Sequence, residues 1–305
     1  MSEGELTTVV SAFIISRSAA GNSQTTVHFY EQQLGYFLRY LESPAMPRLA
    51  QPRPTSPGLA DLTSEAIENY LAQRQGEVKP RSVHCAWRAI RALCNWLGSR
   101  TERYPDWVNP VPKITPPRLP RTKAPPADQP IVDQMLKACR GHDKMTDRDR
   151  AILLVLVSSG LRSCELLGLK QEHIDLHTGE VTVLHGKGDI RRMAIISPTA
   201  RLAVADYLSH LDRSDPSQPL WWGRKGPLSY GGLCHLLTAL AKRAGVSAVS
   251  AHALRRRWAT NMAPHLTPWV LQSLGGWSSF ESVKPYISLN RDELLAAYRE
   301  ATNGR

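Results

Sequence analysis

Seven prolines fall within the 21 residues 107–127, WVNPVPKITPPRLPRTKAPPA. Each fixes φ and removes a backbone donor, so no regular helix or central strand can run through the segment. It reads as an extended linker, and it cuts the 305-residue chain into two parts, as a length of this order suggests. The expected division is an N-terminal tail 1–21, a helical domain 22–106, the linker 107–127 and a second domain 128–305. Another Pro-rich stretch, SPAMPRLAQPRPTSPG at 43–58, reads as a long surface loop within the first domain.

The linker is also basic. Lys113, Arg118, Arg121 and Lys123 lie in it without one acidic residue. The whole chain carries a net charge of +11, with a pI near 9.6. Such a surface favours polyanions, nucleic acid or anionic lipid, although a basic protein with no such partner has the same signature. An apolar content of 42% is enough for real cores and excludes a disordered chain. The five cysteines are scattered with no CxxC pair, which argues against a disulfide framework or zinc site and suits a reducing cytoplasm. Leu6 to Ile15 lacks a basic lead and is too short to span a bilayer, so neither a signal peptide nor a membrane span is expected.

Apolar spacing predicts a helix over 25–41 carrying Val27, Tyr30, Leu34, Phe37, Leu38 and Leu41, a second from Thr63 through Leu71, and a third over 80–97. The third buries Val83, Trp87, Ile90, Leu93, Cys94 and Leu97 and shows Arg81, Arg88 and Arg91 on its other face. Those arginines suit either a solvated face or phosphate contacts. In the second domain, residues 147–158 form a buried apolar helix. Residues 180–184 and 192–196 are strands of a hairpin turning at Gly186-Lys187-Gly188-Asp189, and helices follow over 199–212, 229–244, 252–263, 267–275 and 291–301. The fold class is mainly α with a small β-hairpin.

Five stretches of the second domain hold chemistry-bearing residues. In SSGLRSCELLGL, Arg162 follows Gly160 and has Glu165 three residues on, within reach on a helix face. In HGKGDIRR, Lys187 sits on a glycine-flanked hairpin tip. In AHALRRRWATNM, His252 and Arg255 share a face, while Arg256 and Arg257 point elsewhere. Trp277 and Tyr286 complete the set, nine residues apart in GGWSSFESVKPY. Each has an ordinary explanation: a structural ion pair, a solubilising lysine, a basic surface helix, two core aromatics.

Together, the ordered series Arg, Lys, His-x-x-Arg, Trp, Tyr resembles the tyrosine recombinase, or phage integrase, family, over roughly residues 22–300. GLRSCELLGL is similar to the family's first arginine box, GKGDIRR to its lysine hairpin, HALRRRWAT to its His-x-Leu-Arg box and LGGWSSFESVKPY to its tyrosine box. Two positions depart from the common pattern. Arg256 stands where His is frequent, and Trp277 replaces the commoner His, so that place offers one N–H donor and no proton transfer at neutral pH.

The resemblance implies a two-domain DNA clamp: a helical, SAM-like core-binding domain and a catalytic domain ending in a C-terminal helix. The implied catalytic set is Arg162, Lys187, His252, Arg255, Trp277 and Tyr286, with Glu165 orienting Arg162 or His252. Arg81, Arg88, Arg91, Lys113, Arg118, Arg121, Lys123 and Arg256 are the candidate DNA-binding residues. The implied partners are double-stranded DNA, a homotetramer on two DNA sites and accessory proteins, with no membrane, metal or other cofactor, in a nucleoid-associated cytoplasmic setting. The implied reaction is site-specific recombination through a 3′-phosphotyrosyl intermediate and a Holliday junction. The segment after Tyr286 would dock on a neighbouring protomer or pack on its own domain. A type IB topoisomerase-like nicking and closing enzyme, a non-catalytic DNA-binding protein of the same fold and a helical regulator reading DNA through Arg81, Arg88 and Arg91 remain alternatives.

Overall fold

The computed structural model describes residues 5–43, 57–119, 126–184, 191–287 and 299. It divides into two compact units, Met1–Thr122 and Lys123–Arg305.

The first unit is helical: α1 (Leu6–Ala19), α2 (Gln24–Glu42), α3 (Ser64–Glu77) and α4 (Pro80–Gly98). Helix starts follow local chemistry. The hydroxyl of Ser23 accepts from the Thr26 N–H and that of Thr63 from the Ala66 N–H, while Pro80 occupies the first turn of α4 where no donor is missed. Val83, Ala86, Trp87, Ile90, Leu93, Cys94 and Leu97 make one buried stripe along α4. Edge-on ring contacts tie α1 to its neighbours: Phe13 lies 5.1 Å from Tyr30 and 5.6 Å from Trp96.

Residues 1–21 are therefore not a tail throughout. Leu6, Val9, Val10 and Phe13 recur at i, i+3, i+4 and i+7 and bury in the core of the first unit. The linker is also more structured at its start than an extended strap. Val111–Lys113 forms a 3-10 turn, Ile114 is buried in the same core, and Trp107 and Val111 pack against it. These large apolar side chains lie between the prolines and gain more by burial than the prolines prevent. Most of the 43–58 loop, Arg121 and Lys123 lie outside the described residues.

The second unit runs α5 (Gln129–Ala138), α6 (Lys144–Ser159), α7 (Ser163–Leu167), β1 (Glu180–Leu184), β2 (Arg191–Ile195), α8 (Pro198–Leu208), α9 (Tyr230–Ala244), α10 (Ala251–Met262) and α11 (Pro268–Gly275). Helix α5 is an addition to the sequence reading, α7 is the helix expected just after Arg162, and α8 stops four residues short of the expected end, at the Ser209 cap. The apolar helix α6 is at the centre, as its composition demands: Ala151, Ile152, Leu153, Val155 and Leu156 are all fully buried. Its charged first turns are buried too, but partnered. Arg148 holds Asp149, and Asp147 meets His210 at 2.9 Å.

Strands β1 and β2 pair antiparallel with Val181 opposite Ala194 and Val183 opposite Arg192. Opposed residues share a face, so Arg192 stands on the inner face with Val181, Val183 and Ala194. The expected turn with Lys187, and the C-terminal helix apart from Arg299, lie outside the described residues. A smaller apolar cluster of Trp258, Ala259, Leu271 and Val283, with Trp277 and Tyr286 against it, joins α10, α11 and the turns that follow.

Candidate active site

Two helix ends frame the site. Helix α6 stops at Gly160 and α11 at Gly276, both in the left-handed conformation with φ of 63°. Neither position has room for a side chain. A Cβ on Gly160 would overlap the Trp258 ring, and one on Gly276 would overlap the Arg192 side chain. A Cβ on the preceding Gly275 would overlap the ring of Trp277. The LGGW sequence is thus a demand for close approach of arginine and indole to bare backbone.

Helix ends leave carbonyls without intrahelical partners. Here three arginines donate to three consecutive ones. Arg192 Nη1 donates to the Leu274 carbonyl, Arg255 Nη2 to that of Gly275 at 2.6 Å, and Arg162 Nη2 to that of Gly276 at 2.6 Å. Arg255 Nη1 also donates to the Gly160 carbonyl at the other helix end. Guanidinium is suited to this because its donors fan out in one plane.

One carboxylate sits among the three. Glu165, third residue of α7, accepts from the Arg162 N–H at 2.8 Å and from Arg162 Nη1 at 2.7 Å. It accepts from Arg192 Nη2 at 2.6 Å and lies 3.9 Å from Arg255 Nη1. Its side chain is only 2% exposed. Burial alone would push its pKa up. Hydrogen bonds from Arg192 and the Arg162 N–H, with the Arg192 charge, more than offset that and hold it below the ordinary glutamate value. Arg255 moves the other way: burial, then the like charge of Arg162, bring it down to about 10, still protonated at neutral pH. Three guanidinium groups against one carboxylate leave the cluster positive, which suits an anion.

The aromatic side is built on Trp277. Its ring has the Arg255 guanidinium carbon 4.7 Å from its centroid, Trp258 stacked at 6.1 Å and Tyr286 at 5.7 Å. Tyr286 is half-buried at the end of the 3-10 turn Lys284–Tyr286. Its phenol is among the groups that favour the charged form of Arg255.

The structure therefore brings Arg162, Glu165, Arg255, Trp277 and Tyr286 together. His252 is the second residue of α10 and exposed, one turn ahead of Arg255. Arg256 is half-buried, while Arg81, Arg88, Arg91, Lys113 and Arg118 are exposed on the first unit. Lys187 lies outside the described residues. Among the described residues no group of three or more His, Cys, Asp or Glu side chains could hold a metal ion, and no helix is long and apolar enough to cross a membrane.

Sequence reasoning missed Arg192, Arg257 and Trp258. For the first the sequence holds no deciding signal, since Arg191, Met193 and Ile195 alternate as well as Arg192, Ala194 and Ile196. Arg257 donates to the Ala127 carbonyl at 2.8 Å and to Gln129, tying the start of α5 to α10, and no local pattern announces that.

The profile of the Phage integrase family matches residues 128–293, more than half of the chain. The chain is 30% identical over 284 residues to tyrosine recombinase XerC of Ralstonia pickettii, covering 85% of each chain. It is 29% identical over 290 residues to tyrosine recombinase XerC of Methylobacterium nodulans, covering 92% of this chain and 87% of that one. Among solved structures, XerH site-specific recombinase bound to palindromic difH substrate in a post-cleavage complex matches with a TM-score of 0.69 at 17% identity, over 93% of this chain and 82% of that one.

Proposed function

The chain belongs to the phage integrase family of tyrosine recombinases, enzymes that cut and rejoin DNA, and on that footing we propose that it is a site-specific recombinase whose nucleophile is Tyr286. The observation that carries this reading is the convergence of Arg162 and Arg255 over Glu165, with the Trp277 ring against both Arg255 and Tyr286.

The Tyr286 oxygen attacks a backbone phosphorus of duplex DNA. The P–O5′ bond breaks, a 3′-phosphotyrosyl ester forms, and the departing 5′-oxygen takes a proton from Lys187. Phenol, with a pKa near 10, leaves more readily than an alkyl alcohol, so the 5′-hydroxyl of another strand can displace it and restore a phosphodiester. Bond energy is conserved throughout, and no ATP enters. Negative charge builds on the non-bridging oxygens in the transition state, where the planar donors of Arg162 and Arg255 stabilise it. His252 and the Trp277 N–H add hydrogen bonds, and His252 is the candidate acceptor of the phenol proton. Indole is a donor only, with no basic lone pair to take up a proton, and cannot do this.

The first unit is the core-binding domain in this reading. The exposed Arg81, Arg88, Arg91, Lys113 and Arg118, with Arg121, Lys123 and Arg256, contact phosphates, so binding is strongly salt-dependent. Four protomers on two DNA sites exchange strands through a Holliday junction, in the cytoplasm at the nucleoid, with accessory proteins as further partners. The XerH neighbour, bound to its own DNA substrate after cleavage, supports duplex DNA as the partner.

A nicked trapping substrate tests the nucleophile. The wild-type protein should become linked to DNA through a bond that survives denaturing electrophoresis, and Tyr286→Phe should not. Arg255→Ala should slow linkage by about 100-fold or more. Covalent attachment by Tyr286→Phe would refute the assignment.

A further inference from the structure

Arg192 has no place in the cleavage chemistry described above, yet it is buried far more deeply than Arg162 and nearly as deeply as Arg255. Its side chain is 8% exposed, on the inner face of the hairpin beside Val183 and Ala194. An apolar residue would fill that position at less cost. Taking a guanidinium out of water is expensive. Here the compensation is incomplete, because the buried Nε–H has no hydrogen-bond partner among the described residues. The two remaining arms go to the site. One reaches the Leu274 carbonyl, three residues before Trp277, and the other reaches Glu165 at 2.6 Å. Gly276 leaves the space that the side chain needs to get there. Nothing else among the described contacts links β2, α7 and the end of α11 through one side chain.

We propose that Arg192 is a positioning residue for strand cleavage. By bridging Glu165 and the Leu274 carbonyl it locks the turn that carries Trp277 onto the carboxylate that orients Arg162. The two arginines and the aromatic pair are then aligned before DNA arrives. This rests on Tyr286 acting as the nucleophile. Misplacement of such a group by about 1 Å is enough to cost on the order of 100-fold in rate.

The experiment measures two quantities on the nicked trapping substrate: the first-order rate of covalent linkage at saturating protein, and the Kd for DNA at fixed salt. Arg192→Gln should lower the rate by about 10- to 100-fold and leave Kd within about threefold. Arg192→Lys, which keeps the charge and loses the fork, should fall between that variant and wild type. Arg257→Gln is the structural comparison. It removes another interhelix guanidinium bridge, to Ala127 and Gln129, and should lower the melting temperature without changing the linkage rate. Combining Arg192→Gln with Glu165→Gln should cost less than the product of the two separate losses, since both act through one contact. Linkage by Arg192→Gln within twofold of wild type, or a rate loss no larger than its loss of DNA affinity, overturns the proposal. If Arg192→Gln does not fold, the same criteria applied to Arg192→Lys decide it. Failure of the wild-type protein to become linked would instead refute the Tyr286 reading.

Discussion

On α4 of the first unit Arg81, Arg88 and Arg91 all face solvent, whereas in the second unit Arg162, Arg192 and Arg255 turn onto a single carboxylate and a row of helix-end carbonyls. The residue type is the same and the surroundings decide. The opposite face of α4 is occupied by Trp87, Ile90 and Leu93, and offers a guanidinium no acceptor. Its arginines are left to meet an anion from solution, or at most a ring, as Arg88 does over Phe29 at 5.8 Å. Around Glu165 the acceptors are already in place, so burial becomes tolerable and the geometry is set without ligand.

That contrast predicts a graded set of losses. Glu165→Ala removes the one anion from among three guanidinium groups, two of them buried, and should destabilise the second unit by about 3–5 kcal/mol in denaturant unfolding. A loss below about 1 kcal/mol would show the cluster to be effectively solvated. Gly160→Ala introduces a Cβ where φ is 63° and the Trp258 ring leaves no room, at a cost of roughly 2–4 kcal/mol. Calorimetry showing an unshifted transition would mean that the Trp258 ring moves aside freely.

Acid should act on the same cluster more gently. The Glu165 carboxyl lies below its ordinary value in the folded protein, so the unfolded chain takes up the proton first. Its contribution is complete above the ordinary glutamate pKa and is lost as pH falls through that value toward the folded one. Melting temperature against pH should therefore decline over that range, and the decline attributable to this group should be absent in Glu165→Gln. The smallest stability effect belongs to the exposed set: Arg88→Ala should change unfolding free energy by no more than about 0.5 kcal/mol, yet reduce the salt dependence of DNA binding by about one phosphate contact. A large stability loss with unchanged salt dependence would reverse the assignment of α4 as a contact face.

Much of the fold was legible because it is written in local periods. The stripe on α4, the continuous apolar run of α6 and the alternation of β1 each follow from side-chain direction along one element. Helix α1 is written in the same period by Leu6, Val9, Val10 and Phe13. Ile114 was hidden by its neighbours, since proline density says what the backbone cannot do and nothing about where an intervening apolar side chain will go. Within the site, Arg162, Glu165, Arg255, Trp277 and Tyr286 could be picked out from motif order, and their grouping in space follows. Arg192 could not be weighed the same way: in RRMAI nothing distinguishes the inward arginine from its neighbour until the strand register is known.

Local sequence settled most of the helices and which residues are chemically able to handle a phosphate, because propensity, capping and side-chain chemistry act over a few residues. Tertiary packing alone decided which arginines are buried, which carbonyls they meet and that one carboxylate holds three of them. Burial and hydrogen bonding between α7, β2, α10 and the end of α11 depend on distances that separation along the chain does not encode.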